Sequence, residues 1–457
     1  MISTRIRIPI LKSLLAVALA SPMAVAGPVS STTNPQAKIE EIEKAGAALM
    51  KGQVDEAYRL LQEASKKNPS LRPPRLMLAL LFLNSNSRDG VVQGRNLLEQ
   101  AITENPEDPR CYLDNAQLAI RDGRLTDAIL NGEAALKLSA ADRWTADQKK
   151  EIHFKTRDLL AAAYEQRRDW AAVRVNLNAL LELEKSGQLR QRLARALFFL
   201  DKPDEAFQEL QQAVKDDATL DPPTVFMAQL WSMKGDSKLA REWFEKAIKA
   251  EPNNLRVHLA YANWLLQQNE TAQAKLHVDA AAKIDANSLD VLKAQGLVAR
   301  IVKNLGDAEN YFRRVMNEAP SDFFACNQLA LVLVDQSNQS QRSRGVQLAE
   351  VNARQYPRVA EALATLGYAY YRTGNIEEAL KSLQAAIAPG QMVADTAYYL
   401  ALLVNEKEQT DEAIKLLDQA LQSKGLFVYR ADAQEMLDRL KKKAPAKDDK
   451  SGAPKKP

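Results

Sequence analysis

The stretch Leu366–Ile387, LGYAYYRTGNIEEALKSLQAAI, decides how the whole chain is read. A small residue, Gly367, stands three positions before Tyr370, and a glycine follows at Gly374. A second small residue, Ala379, precedes Leu383 and Ala386 at helical spacing. Apolar residues every three or four positions mark one face of an amphipathic helix, and glycine between two such runs marks a turn. The stretch therefore predicts two short helices folded back on each other. The same frame recurs as LAIRDGRLTDAILNGEAAL from Leu118, as LWSMKGDSKLAREWFEKAI from Leu230 and as LLVNEKEQTDEAIKLLDQAL from Leu402.

The small residue of the second helix sets the register. It falls at Ala57, Gly94, Ala128, Ala172, Ala206, Ala240, Ala274, Ala308, Gly345, Ala379 and Ala413, and seven of the ten intervals are 34 residues. A fixed period of this length is the signature of a repeat array. The small residue of the first helix is Ala45, Ala116, Ala194, Ala228, Ala262, Ala330, Gly367 or Ala401; it stands twelve positions earlier in most units and lets the two helices approach closely. Leu or Phe four beyond the second small residue (Leu61, Leu98, Leu210, Phe244, Phe312, Leu383, Leu417) fills the space between helices. Proline closes the second helix at Pro69, Pro106, Pro252, Pro320 and Pro357. Turns are expected at Asp122-Gly123, Lys234-Gly235, Leu305-Gly306 and Thr373-Gly374. Neither helix can bury its stripe alone, so stability must come from stacking unit on unit.

On these residues the chain resembles the tetratricopeptide repeat family over most of its length, with Leu363, Gly367, Tyr370, Ala379, Leu383 and Ala386 in the signature positions. The resemblance implies an all-α fold, a right-handed superhelical solenoid of antiparallel helix pairs whose concave groove holds a partner. Its occurrence among exported bacterial proteins implies scaffolding in envelope assembly, secretion or polysaccharide export. Phe82 and Leu160 depart from the pattern where a small residue is expected, and Asn176 does so at a core apolar position.

The expected organisation is an export signal over 1–26, a linker over 27–37, about eleven helix pairs over 38–427, a capping helix over 428–441 and a disordered tail over 442–457. Arg5, Arg7 and Lys12 precede the apolar run Leu14–Ala20, and Ala24-Val25-Ala26 forms a small-x-small cleavage pattern. That run is too short to span a bilayer, so no transmembrane anchor is expected after cleavage. The tail carries seven lysines against two aspartates from Lys441 onward, and is read as a solvated end; an anionic headgroup or wall polymer is the alternative ligand for it.

Composition excludes several classes. The 457 residues, 46% hydrophobic and 26% charged, are too apolar for a disordered chain. A formal charge of +4 is too small to indicate nucleic-acid binding. Two cysteines, Cys111 and Cys326, lie about twelve helices apart and are read as buried thiols, with an exposed cross-linking thiol as the alternative. The three histidines, His153, His258 and His277, match no metal spacing, and no GxSxG, GxGxxG or GxxxxGK[ST] motif occurs. No cofactor is expected and the chain is read as not an enzyme.

Binding residues are expected on the inner face of the first helices and at insertions. The register places Arg110, Arg121, Arg157, Tyr164, Arg195, Phe198, Phe199, Met233, Arg256, Lys293 and Arg300 there, followed by Asp335, Glu361, Tyr371, Arg372, Asp395, Tyr398 and Glu406. That predicts a basic, partly aromatic middle and an acidic end, with arginine and aromatic residues as the preferred anchors. The period breaks at NSNSRDG before Gly94, at Asp142–Glu151 and at Asp335–Arg344. Insertions in a solenoid are expected on loops, and Trp144 in the second is an indole without an obvious core. The expected partners are one or more proteins of the cell envelope, with an anionic polysaccharide as a further candidate and no nucleic acid. A glycan-guiding solenoid, a subunit of an enzyme complex and a purely structural spacer are the competing functions.

Overall fold

The computed structural model describes residues 40–85, 87–387 and 392–443. The proposed export signal and most of the lysine-rich tail lie outside the described residues. Among those described, every regular element is helical. The chain divides into two compact units, one ending at Asp236 and the other beginning at Ser237. The first contains α1 (Glu40–Met50), α2 (Val54–Lys67), α3 (Pro74–Asn84), α4 (Arg88–Glu104), α5 (Pro109–Arg121), α6 (Leu125–Leu138), α7 (Ala146–Arg167), α8 (Trp170–Leu183), α9 (Gly187–Phe199), α10 (Pro203–Asp216) and α11 (Pro223–Lys234). The second contains α12 (Ser237–Ala250), α13 (Leu255–Gln267), α14 (Thr271–Ile284), α15 (Leu289–Ile301), α16 (Leu305–Glu318), α17 (Phe323–Asp335), α18 (Gln339–Gln355), α19 (Ala360–Arg372), α20 (Ile376–Ile387), α21 (Ala394–Glu406), α22 (Thr410–Gln422) and α23 (Arg430–Lys443). Within each unit every helix packs on the next, giving a solenoid of antiparallel pairs.

The small residues do what the spacing requires. Ala45 and Ala57, Ala116 and Ala128, and Ala262 and Ala274 are all essentially inaccessible. A Cβ added to Gly296 would meet three ring carbons of Phe312 at 2.7–3.0 Å, and one added to Gly367 would meet Leu383 Cγ at 2.6 Å. Phe244 and Phe312 are buried between helices as expected. Each named proline sits two residues beyond a helix end; Asn68, Ala319 and Tyr356, which precede three of them, have left helical geometry.

The register is corrected in one unit. The buried triplet of α8 is Val173, Leu177 and Leu180, so the small position belongs to Val173 and not to Ala172. Its partner twelve residues earlier is then Ala161, fully buried on α7. Leu160, the apparent exception, is a filler: it lies against Gly132, which stands on α6 where other units carry Leu or Phe. Asn176 is buried with both ends satisfied, its Oδ1 accepting from Arg157 Nη1 at 3.0 Å and its Nδ2 donating to the Ala172 carbonyl at 2.9 Å. Phe82 is explained by the insertion, because fully buried Ala79 supplies the small residue facing Gly94.

The turns show a second regularity. The residue five positions before the second small residue is left-handed at Gly52, Gly123, Gly235 and Gly374, and equally at Arg168, Asp201, Asn269, Lys303 and Glu408. Leu305-Gly306 is therefore not the turn; both residues open α16, and Lys303 with φ 61° makes the reversal. The insertions also differ from expectation, since they lengthen helices more than loops. Ser87 and Asn338 cap α4 and α18, each 17 residues long, and a Thr145–Gln148 capping box starts the 22-residue α7. A good N-cap lets extra residues continue as helix.

Both cysteines are buried and unpaired. Burial pushes the Cys111 thiol up to about 12 and raises that of Cys326 as well. Neither thiol should react with an aromatic disulfide reagent at pH 8 until the chain is denatured; rapid modification of the native protein would contradict this packing. Glycine substitution separates packing from propensity. Gly296→Ala should destabilise by a net of about 1–2 kcal/mol, because overpacking exceeds the helical gain of alanine. Gly46→Ala, whose Cβ meets nothing within 4 Å, should be neutral or stabilising by up to about 1 kcal/mol. Urea denaturation of the two variants checks the contrast.

Candidate functional site

Odd-numbered helices form the inner layer. Alongside their sequence neighbours, α13, α15, α17, α19 and α21 touch one another directly in the second unit, as α5 and α7 do in the first. Even-numbered helices do not approach one another as closely among the described residues. The more closely spaced layer of a curved stack is its concave side, so the first helices line the inner face.

In the second unit that face carries a buried polar network. Arg300 on α15 is 4% exposed. Its Nη1 donates to Gln328 Oε1 at 2.6 Å and its Nη2 to the Tyr429 hydroxyl at 2.7 Å. The Tyr429 hydroxyl in turn donates to Asp335 Oδ2 at 2.8 Å. The other Asp335 oxygen accepts from Tyr368 at 2.7 Å and from Arg372 Nη1 at 2.5 Å. Burial alone would push the Arg300 proton off, but Tyr429, Tyr399, Asp335 and Asp395 raise its affinity above the ordinary guanidinium value. Burial raises Asp395 to about 6 despite Arg300, with Glu361 adding to the rise.

Tyr429 belongs to the segment after α22, which crosses the inner face and leads into α23. The ring of Tyr429 stacks on Tyr398 at 5.3 Å and meets Tyr399 edge-on at 5.6 Å. Tyr368 and Tyr399 stack at 4.2 Å beside them. Around this cluster Arg430 Nε donates to Asn269 Oδ1 at 2.9 Å and Lys303 pairs with Asp432 at 2.6 Å. Of the expected acidic end, Glu361 and Glu406 are exposed, while Asp335 and Asp395 are half-buried. Asp335, Arg372 and Arg300 are committed to one another or to Tyr429, and Tyr398 is buried. Tyr371 donates to Glu406 at 3.3 Å. Lys293 is held by Asp290 and Asp322, and Arg256 is exposed on α13.

The first unit also departs from a uniformly basic row. With the corrected register, the inner positions of α7 are Asp158 and Glu165, which bind Arg192 of α9. Arg157 and Tyr164 are turned elsewhere, Arg157 to Asn176 and Tyr164 to Glu133 of α6 at 2.9 Å. Arg110 is fastened to Asp108 and to the Ser70 carbonyl. Trp144 is not an indole without a setting; the guanidinium groups of Arg110 and Arg143 lie 5.1 and 5.3 Å from its ring centroid. Phe198 is buried against Trp231, and half-buried Phe199 stacks on Trp170 at 4.8 Å. Arg121 and Met233 are exposed, and Arg195 is half-buried with no partner on its Nε.

Among the described residues no group of three or more His, Cys, Asp or Glu side chains is placed to hold a metal ion. His258 and His277 do meet, Nδ1 to Nδ1 at 3.2 Å, with His258 Nε2 on the Pro252 carbonyl and Tyr261 against the His277 ring. Burial, then the neighbouring His258, lowers the His277 pKa. A base held neutral in the fold contributes stability that is complete above the unfolded histidine value of roughly 6.5 and is lost as pH falls below it. The midpoint of unfolding should therefore drop between pH 7.5 and 5.5, and His277→Phe should lessen that drop; an unchanged slope would refute the assignment.

Repeat profiles described as tetratricopeptide repeat match residues 76–143, 233–301, 347–392 and 364–426. Over 198 residues the chain is 23% identical to "Cellulose synthase operon protein C" of Pseudomonas fluorescens (strain SBW25), covering 40% of this chain and 15% of that protein. Solved structures similar to it include yeast Tom70, with TM-score 0.36, 15% identity and 88% and 95% of the two chains covered. Cut9–Hcn1 of the APC/C gives 0.40 at 14% identity over 87% and 82%. YrrB, titled a TPR protein with an unusual peptide-binding site, gives 0.27 at 23% identity over 44% and 98%. The recurrent helix pairs, their paired small residues at 34-residue spacing and the matched repeat profiles establish that this chain belongs to the tetratricopeptide repeat family.

Proposed function

We propose that this chain is a non-catalytic interaction scaffold of the bacterial cell envelope, exported by residues 1–26 and acting in the periplasm. It holds a peptide segment or domain of an envelope protein against its inner helical face. Tetratricopeptide repeats are protein-interaction modules, and one observation carries the reading further. The inner face of the second unit already holds a non-helical stretch of polypeptide, residues 423–429, through side chains of α15 and α17. The same kind of face in the first unit offers Arg121, Arg195 and Met233 to an incoming chain. The apolar, positively started N-terminus supports export, and no described helix is long and apolar enough to cross a membrane. A glycan-guiding role in polysaccharide export is the second reading, favoured by the partial match to a cellulose synthase operon protein.

Cross-linked affinity purification from the native envelope fraction tests the proposal. The wild-type chain should enrich one or more envelope proteins, and a variant carrying Arg121→Glu, Arg195→Glu and Met233→Glu should recover them at least tenfold less. Equal recovery by the variant would remove the first inner face as the site. Enrichment of no protein, with binding to an anionic polysaccharide, would replace the protein scaffold by the glycan reading.

A further inference from the structure

We propose that residues 423–443 are an exchangeable occupant of the inner face of the second unit, and that this face recognises a partner segment of the same chemistry. That chemistry is an aromatic residue two positions before a tyrosine, a cation immediately after it, and a short amphipathic helix beyond. The inference rests on the scaffold reading for the existence of a partner, but its argument is independent of the first unit.

The segment is bound as a ligand is bound. The Tyr429 hydroxyl has one proton to give and lone pairs to receive, and the face answers both, with Asp335 accepting and Arg300 donating. A phenylalanine would leave Asp335 Oδ2 and Arg300 Nη2 without their partner in a buried site, and unpaired buried polar atoms of this kind discriminate by large factors. The main chain also contributes, because the Val428 amide lowers the proton affinity of the Asp395 carboxylate. Phe427 packs at 6.1 Å from Tyr398, and the Arg430 guanidinium lies 5.5 Å from the Phe427 ring. Beyond the tyrosine, Ala433, Met436, Leu437 and Leu440 present one buried stripe of α23. The bonds of Tyr429 with Asp335 and Arg300 and of Arg430 with Asn269 join residues 94, 129 and 161 positions apart in the chain, so they are built by the stacking of repeats and not by local sequence.

Three features make the occupant exchangeable. The walls do not depend on it: without Tyr429, Asp335 still accepts from Tyr368 and Arg372, and Arg300 still donates to Gln328. The inner layer from α13 to α21 is held by its own helix contacts. The connection from α22 to α23 is non-helical and contains Gly425 at φ 107°, a conformation that gives the chain a joint. The outer pairs Lys303–Asp432 and Lys441–Asp418 are solvent-exposed contacts that hold weakly. Tethering keeps the resident segment at an effective concentration of roughly millimolar order, so it excludes poor copies and yields to a partner that reads better or is presented at high local density.

The test uses the full-length chain and a fluorescein-labelled peptide of residues 423–443 with blocked ends, followed by anisotropy. Tyr429→Ala should bind the peptide at least tenfold more tightly than wild type. Tyr429→Phe keeps the ring and removes the hydroxyl, and should bind it several-fold more tightly. On either variant a peptide with phenylalanine in place of its tyrosine should lose at least tenfold. Saturating peptide should also strip hydrogen-exchange protection from residues 430–443 of the wild-type chain. Equal binding by wild type and Tyr429→Phe, with helix content unchanged, would overturn the exchange; equal binding of the two peptides would overturn tyrosine recognition. Loss of peptide exchange with envelope capture intact sinks this inference alone, whereas intact exchange without capture sinks the envelope-protein reading.

Discussion

Two helices of a pair can approach closely only where neither carries a large side chain at the crossing, and the rest of the structure depends on that contact. Ala262 against Ala274, or Gly296 with Phe312 filling the space above it, brings the backbones together and leaves the Leu or Phe four residues on to plug the next gap. The distance from one small residue to the other then sets the length of the connection, and the chain must reverse within it. A left-handed residue five positions before the second small residue is the recurring solution. Four such positions are glycine, but Arg168, Asp201, Asn269, Lys303 and Glu408 accept the same conformation. A strain of about 1–2 kcal/mol is tolerated because the packing on either side over-determines the turn.

Stacking such pairs places one row of positions from each first helix on a common inner face. In the second unit this gathers Arg300, Asp335, Tyr368, Arg372, Tyr398 and Tyr399 from successive repeats. Charges brought together out of water require partners, and here they find one another and Tyr429. The face is therefore neither an acidic patch nor a basic one. It is a site whose donors and acceptors are matched to a phenol, with aromatic rings supplying the walls. The first unit resolves its charges differently. Asp158 and Glu165 cross to Arg192, Arg110 turns to Asp108, and Trp144 lies between two arginines. What remains exposed or half-buried on that face is a sparser row of Arg121, Arg195 and Met233.

The polar groups on the inner face of the second unit are arranged as complementary donors and acceptors. The two cysteines are shielded by burial, which keeps the thiolate out of reach. The histidine pair is engaged with its own backbone and with Tyr261. Specificity comes from which side chains the repeat rule leaves free, and these differ from one helix pair to the next.

The period, the helix pairs, the stacking logic and most packing residues were legible in the amino-acid sequence, because small residues at helix crossings recur at a spacing that geometry dictates. Where an insertion intervened, the spacing misled by one residue: Ala172 stood for Val173, and with it Arg157 and Tyr164 were placed on the inner face and Asp158 was not. A one-residue slip rotates a helical position by about 100°, so side-chain direction is the first property to be lost. The residues that meet at the inner face were largely named, Arg300, Arg372 and Tyr398 among them. Their partner, Tyr429, was not, since it lies in a stretch outside the repeat pattern and shows no periodicity. Contacts such as Arg300 with Tyr429 span 129 positions. Local sequence determined each hairpin, whereas only the stacked tertiary structure decided which charges face solvent, which are neutralised, and that the chain itself occupies its own inner face.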